Sequence, residues 1–186
     1  MGDRRVAILL AAGAALCAPR AAHGEPQVSL GVTAGGTLEN VTTPAPGPAL
    51  HLGGRGDLLL RSPSNRGMGL GPYLDVATAG LRDVDLGGGL GWLLPLSEDA
   101  AMVVSAGALA RQGEGRSWAP GAEGTVFAGA RSFNYHSWYG LAAGVFAQTR
   151  WIPAPPASVD VVLGVQLDLE LLALPWLLLW ESVVHR

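Results

Sequence analysis

From Ser158 to Leu172 the chain reads SVDVVLGVQLDLELL, and Val159, Val161, Leu163, Val165, Leu167, Leu169 and Leu171 take every second place. Asp160, Val162, Gly164, Gln166, Asp168, Glu170 and Leu172 sit between them. A period of two is that of a β-strand, whose successive side chains point to opposite faces. One face here is wholly aliphatic and the other mostly polar or small. The stretch exceeds the ~5–6 residues usual for strands of globular domains and covers the ~9–11 residues a tilted strand needs to cross a bilayer. An aliphatic face toward lipid and a polar or small face toward a lumen is the pattern of a transmembrane β-barrel.

The alternation recurs along the chain, punctuated by turn signals. Val28, Leu30 and Val32 alternate with small and polar residues, and Arg55 and Asp57 share one parity in LHLGGRGDLLL. Leu70, Leu74 and Val76 oppose Tyr73 and Asp75, and Val84, Leu86, Leu90, Trp92 and Leu94 oppose Asp85 and glycines. Eight strands are expected, at 27–39, 49–60, 68–79, 84–96, 100–111, 121–133, 137–150 and 158–171. The even count suits a bacterial barrel. With a periplasmic start, 41–48, 80–83, 112–120 and 151–157 become surface loops, and 61–67, 97–99 and 134–136 become shorter periplasmic turns. Inward glycines, drawn from 27 in the chain, leave a narrow barrel room for larger side chains opposite.

The N-terminus reads as a secretory signal peptide over 1–24, with Arg4 and Arg5 before an apolar run from Val6 to Leu16 and a small-x-small site at Ala22-His23-Gly24. The barrel domain is then 25–172, and 173–186 forms a short hydrophobic C-terminal tail. Leu171 to Trp180 is too short for a membrane helix and reads as an interfacial segment or a cap on the barrel. Cys17 is the single cysteine, so no disulfide framework exists. The net charge of -3 and the absence of a basic run exclude nucleic acid as a partner. A secreted soluble β-barrel binding protein is the alternative, with Trp92, Trp138 and Trp151 as core aromatics; the lack of lysine on the polar face weighs against it.

Residues for acid–base or metal chemistry are few: His51, His136, Glu39, Glu98, Glu123 and Glu170. No HExxH, CxxC or GxSxG occurs and no histidine pair has ligand spacing. No enzyme activity, metal or cofactor is expected. The residues expected to face the lumen are Arg55, Asp57, Asp75, Asp85, Arg111, Glu123, Arg131, Gln148, Gln166, Asp168 and Glu170. Opposite charges in a low-dielectric interior need partners, and Arg55, Arg111 and Arg131 are the cations available to the carboxylates. An eight-stranded barrel is only wide enough for side chains or one small ligand.

The segments GLGPYLDVATAGLRDVDLGGGLGWLLPLSEDAAMVVSAG, ARSFNYHSWYGLAAGVF and VVLGVQLDLELLALPW resemble small outer-membrane β-barrel proteins of myxobacterial and related proteobacterial genomes. The resemblance covers roughly Gly53 to Trp180 and carries no catalytic motif. More loosely, the architecture is similar to eight-stranded barrels of the outer-membrane protein W or A type, from which the chain departs in lacking a terminal aromatic. The leader and the amphipathic strands point to the cell outer membrane as location, with outer-membrane lipids and the barrel-assembly machinery as the expected partners of a monomer. The expected fold is all-β, an eight-stranded antiparallel up-and-down transmembrane β-barrel. The expected role is structural or unknown, with a largely plugged lumen; binding or transport of a small solute or hydrophobic ligand is the alternative.

Overall fold

The computed structural model describes residues 26–61, 68–97, 100–113, 117–133, 139–153 and 157–169. The signal segment 1–24, the tail 173–186, Glu98, His136, Trp138 and Glu170 lie outside them, as does the side chain of Arg131.

Eight strands form: β1 (Pro26–Glu39), β2 (Gly47–Arg61), β3 (Gly69–Ala79), β4 (Asp83–Pro95), β5 (Ala100–Gln112), β6 (Ala119–Phe133), β7 (Tyr139–Ile152) and β8 (Ser158–Asp168). Each pairs antiparallel with its neighbours in chain order, and β1 pairs with β8 to close the barrel. Closure matters in an apolar solvent, because it leaves the paired backbone no free sheet edge. Several boundaries depart from the sequence expectation, among them the starts of β2 and β6, each two residues early at Gly47 and Ala119. β7 runs on through Trp151 and Ile152, paired with Val159 and Ser158, because their alternation continues that of Ala147 to Arg150. β8 ends at Asp168, opposite Gly31, and the expected positions 170 and 171 lie outside the described residues.

The two sides of the wall invert the arrangement of a soluble sheet protein. Leu74 is 72% exposed and Leu163 62%, whereas Arg150, Asp85 and Asp160 are each 1% exposed. The outward positions are Leu, Val and Trp; the charged residues are inside. Trp92 and Trp151 stand half exposed on the outer surface, so neither is the core aromatic a soluble barrel requires. Burying carboxylates and guanidiniums while leaving leucines outside is favourable only where the outer solvent is apolar.

The connections at one end span 40–46, 80–82, 113–118 and 153–157; those at the other span 62–68, 96–99 and 134–138. These are called here the loop end and the turn end. The 80–82 connection is a tight hairpin closed by Arg82 N–H donating to Ala79 O at 3.1 Å. Gly80 and Leu81 both take left-handed backbone, φ 58° and 59°, as the two central residues of a type I′ turn must. Gly80 does so freely and Leu81 is carried with it.

Toward the turn end, Leu59, Leu93, Ala101, Val103, Phe127, Phe146 and Val162 pack as one buried cluster inside the lumen. The two rings fit because the opposing wall is glycine. A Cβ on Gly144 would lie 2.4 Å from Phe127 Cζ, and one on Gly164 would lie 2.8 Å from Phe146 Cε1.

Candidate functional site: a polar lumen tied across all strands

The inward faces of the strands carry two polar groups that meet at β7. Nearer the loop end, Arg111 on β5 grips Asp85 on β4 with two parallel bonds, Nε to Oδ1 at 2.6 Å and Nη2 to Oδ2 at 3.0 Å. The same guanidinium reaches Asp160 on β8 through Nη1. Asp160 also accepts from Asn40 N–H at 2.8 Å, and Asn40 presents that donor from a left-handed backbone, φ 55°. Arg150 on β7 donates from Nη1 to Asp85 Oδ2 at 2.7 Å. Its Nη2 lies 3.5 Å from His51 Nδ1. A guanidinium can only donate, so Nδ1 is the acceptor and the ring's Nε2–H donates to Thr33 Oγ1 at 3.0 Å. His51 also stands edge-on to Phe146 with ring centroids 5.6 Å apart, which joins the polar group to the apolar cluster below.

The second group occupies the middle. Arg55 and Asp57, two residues apart on β2 and so on one face, pair through Nη2 to Oδ1 at 2.8 Å and Nε to Oδ2 at 3.0 Å. The Arg55 guanidinium lies 4.1 Å over the Tyr73 ring, a cation–π contact that is stronger away from water. Tyr73 O–H donates to Glu123 Oε1 at 2.8 Å. Gln148 Nε2 donates to both Asp75 Oδ2 and Glu123 Oε2 at 3.1 Å. Gly87 is what lets these carboxylates approach the wall: a Cβ there would meet Asp75 Oδ1 at 1.9 Å and Glu123 Oε1 at 2.3 Å.

Of the residues expected in the lumen, Arg55, Asp57, Asp85, Glu123, Gln148, Gln166 and Asp168 are buried, and Asp75 and Arg111 nearly so. Arg55, Asp57, Asp75, Asp85, Arg111, Glu123 and Gln148 are brought into the two groups; on β8, Gln166 is paired across the wall with Thr33, and Asp168 with Gly31. His51, Tyr73, Arg150 and Asp160 belong to these groups as well; the sequence reading had set Tyr73 on the face of Asp75 and Asp160 on that of Gln166, and had given no face to His51 or Arg150. Their signal was parity alone: each lies an even number of places from an inward residue of its own strand, respectively Arg55, Asp75, Gln148 and Gln166.

Among the described residues, no group of three or more His, Cys, Asp or Glu is placed to hold a metal ion. The carboxylates are instead spent on guanidiniums, an amide and a phenol. What the fold and this interior define is an eight-stranded antiparallel closed barrel of the transmembrane type, filled by its own side chains.

No protein-family model matches the sequence, and no curated protein matches it. Three solved structures are similar. A de novo designed transmembrane β-barrel shares 14% identity over 75% of this chain and 94% of its own, with a TM-score of 0.44. The attachment invasion locus protein Ail of Yersinia pestis, crystallised with the heparin analogue sucrose octasulfate, shares 11% identity over 77% of this chain and 97% of its own, with a TM-score of 0.39. The same protein in a phospholipid bilayer nanodisc shares 13% identity over 76% and 99%, with a TM-score of 0.36.

Proposed function

We propose that this protein is an outer-membrane barrel whose lumen is a structural lattice rather than a pore or an active site. The observation that carries the reading is that every strand contributes to the lumenal network: Thr33 from β1, His51, Arg55 and Asp57 from β2, Tyr73 and Asp75 from β3, Asp85 from β4, Arg111 from β5, Glu123 from β6, Gln148 and Arg150 from β7, and Asp160 from β8. A solute passing through would have to break several charge-assisted bonds in an interior of low dielectric. The apolar cluster blocks the remaining cross-section toward the turn end. The outer band of leucines and valines suits lipid as its surroundings, and the leader expected at 1–24 supplies export. The absence of a catalytic motif in the sequence supports a role without chemistry, in a monomer assembled by the barrel-assembly machinery.

The test combines two measurements on the purified mature chain. Folded protein in detergent runs with heat-modifiable gel mobility and gives almost no conductance in a planar bilayer. A stable ion-conducting channel in the unmodified protein rejects the plugged reading, and a chain recovered soluble from the periplasm without detergent rejects the membrane location.

A further inference from the structure

We propose that the apolar segment 171–180 docks across the outer wall of the barrel, with Trp176 seated over a notch between β1 and β3. The notch is a groove of about 640 Å³ in the outward face, and two consecutive outward positions of β2, Gly54 and Gly56, form its base. Leu30 and Val32 of β1 stand beside them on one side, and Leu74 and Val76 of β3 on the other. The lumen does not require these glycines. A Cβ on Gly54 would meet nothing nearer than Gly31 O at 3.8 Å, and one on Gly56 would meet first the movable end of Leu30 at 3.1 Å. Gly144 and Gly164, by contrast, make way for buried rings. Neither Gly54 nor Gly56 has the left-handed backbone that would call for glycine. What they provide is the space outside.

The occupant follows from where β8 leads. Leu169, next after the end of β8 at Asp168, keeps the outward parity of Leu163, Val165 and Leu167 and itself lines the groove. The residues from 171 to 180 read LLALPWLLLW, all aliphatic or aromatic except Pro175, between Glu170 and Glu181. In the wall β8 is followed by β1 and then β2, so two strand spacings of about 4.8 Å each separate β8 from β2. Trp176 follows Leu169 by seven places. That is a rise of about 10 Å as a helix, the form that satisfies a segment's backbone in lipid. The large indole then falls on the two places of the wall that have no side chain. A course up the wall would carry Glu181, His185 and Arg186 toward hydrocarbon, whereas one across the strands keeps them at the depth of Leu169. A lipid chain or a second barrel would offer similar apolar contact. A segment joined directly to the lining residue Leu169 outcompetes both, through the effective concentration of a short tether.

The experiment is disulfide trapping in the chain from Glu25 onward, folded into phospholipid vesicles; introduced thiols are the only ones there, because Cys17 is the single cysteine of the sequence. The pair Gly54→Cys/Trp176→Cys is compared with Ala130→Cys/Trp176→Cys. Gly54 is in register with Leu167 through Val32, and Ala130 is in register with Leu167 through Ala143. The two outward sites therefore lie equally far from β8 on its two sides, and a segment with no preferred seat reaches both alike. With diamide as oxidant, the first pair is expected to close an intrachain disulfide at least about tenfold faster than the second, a preference of one decade. Gly56→Cys takes the place of Gly54→Cys if that variant loses its heat-modifiable folded band. Equal rates for the two pairs overturn the proposal. So does a covalent dimer formed by Gly54→Cys alone, which assigns the groove to a second copy, or a folded protein in which neither pair closes, which leaves the groove to lipid.

Discussion

Asp85 accepts from two guanidiniums on two different strands, Arg111 at 2.6 Å and Arg150 at 2.7 Å, and its side chain is 1% exposed. Removing it leaves two cations facing each other with one remaining carboxylate, Asp160, bound to only one of them. Breaking a buried pair by deleting one partner costs about 3–5 kcal/mol, because an uncompensated charge remains in low dielectric. Asp85→Ala is therefore expected to lower the free energy of unfolding by an amount in that range, read from the shift of the urea midpoint in micelles. A variant as stable as the parent would show that the lattice contributes nothing to folding. Parity had placed Asp85 and Arg111 inside; their direct apposition, like that of Asp85 with Arg150, depends on how far each strand is slid past its neighbours.

At the scale of the strand, the two faces answer to different solvents. In β8, Val165 and Leu167 are exposed outward while Gln166 and Asp168 are buried. A charge on the outer face must enter hydrocarbon, at a cost of about 2–4 kcal/mol for arginine near the bilayer midplane. Leu167→Arg is expected to reduce insertion into phospholipid vesicles by that amount, read as the fraction of heat-modifiable folded band across a urea series. A well-folded, detergent-free soluble Leu167→Arg protein would reject the membrane barrel itself. The same logic explains why strand positions were readable from sequence to within a few residues. Alternation is local, and each strand carries its own copy of it. The expected end of β7 at 150 fell two residues short: the folded barrel gives Arg150 Asp85 as a partner and the strand continues through Ile152.

For the whole barrel, the lumen holds ion-paired groups and an apolar cluster, and the cluster is the candidate barrier. Leu93 is 0% exposed and Phe127 4%, and both sit in the apolar cluster. Replacing both with alanine removes side-chain volume from the cross-section while leaving the ion pairs in place. The double variant Leu93→Ala/Phe127→Ala is expected to raise bilayer conductance above the near-zero baseline of the parent. It also loses stability, since each large-to-alanine change in a packed interior costs on the order of 2–5 kcal/mol. Folded protein with unchanged conductance would move the barrier to the ion-paired groups.

The sequence by itself determined that the chain is all-β and that eight antiparallel strands form. These follow from a period of two and from glycines, properties that survive without knowing any neighbour. Tertiary structure alone decided which inward groups meet. Arg111 reaches Asp160 across 49 residues of chain, and Tyr73 reaches Glu123 across 50. Those meetings are set by strand register, by the tilt that closure imposes, and by the return of β8 to β1. A cavity at the loop end is of the same kind: Glu39 at the end of β1 and the neighbours Arg82 and Asp83 at the start of β4 share one space only once the strands are assembled. No local pattern encodes that geometry, because a side chain pointing into the lumen has as its neighbours residues from strands far away in sequence.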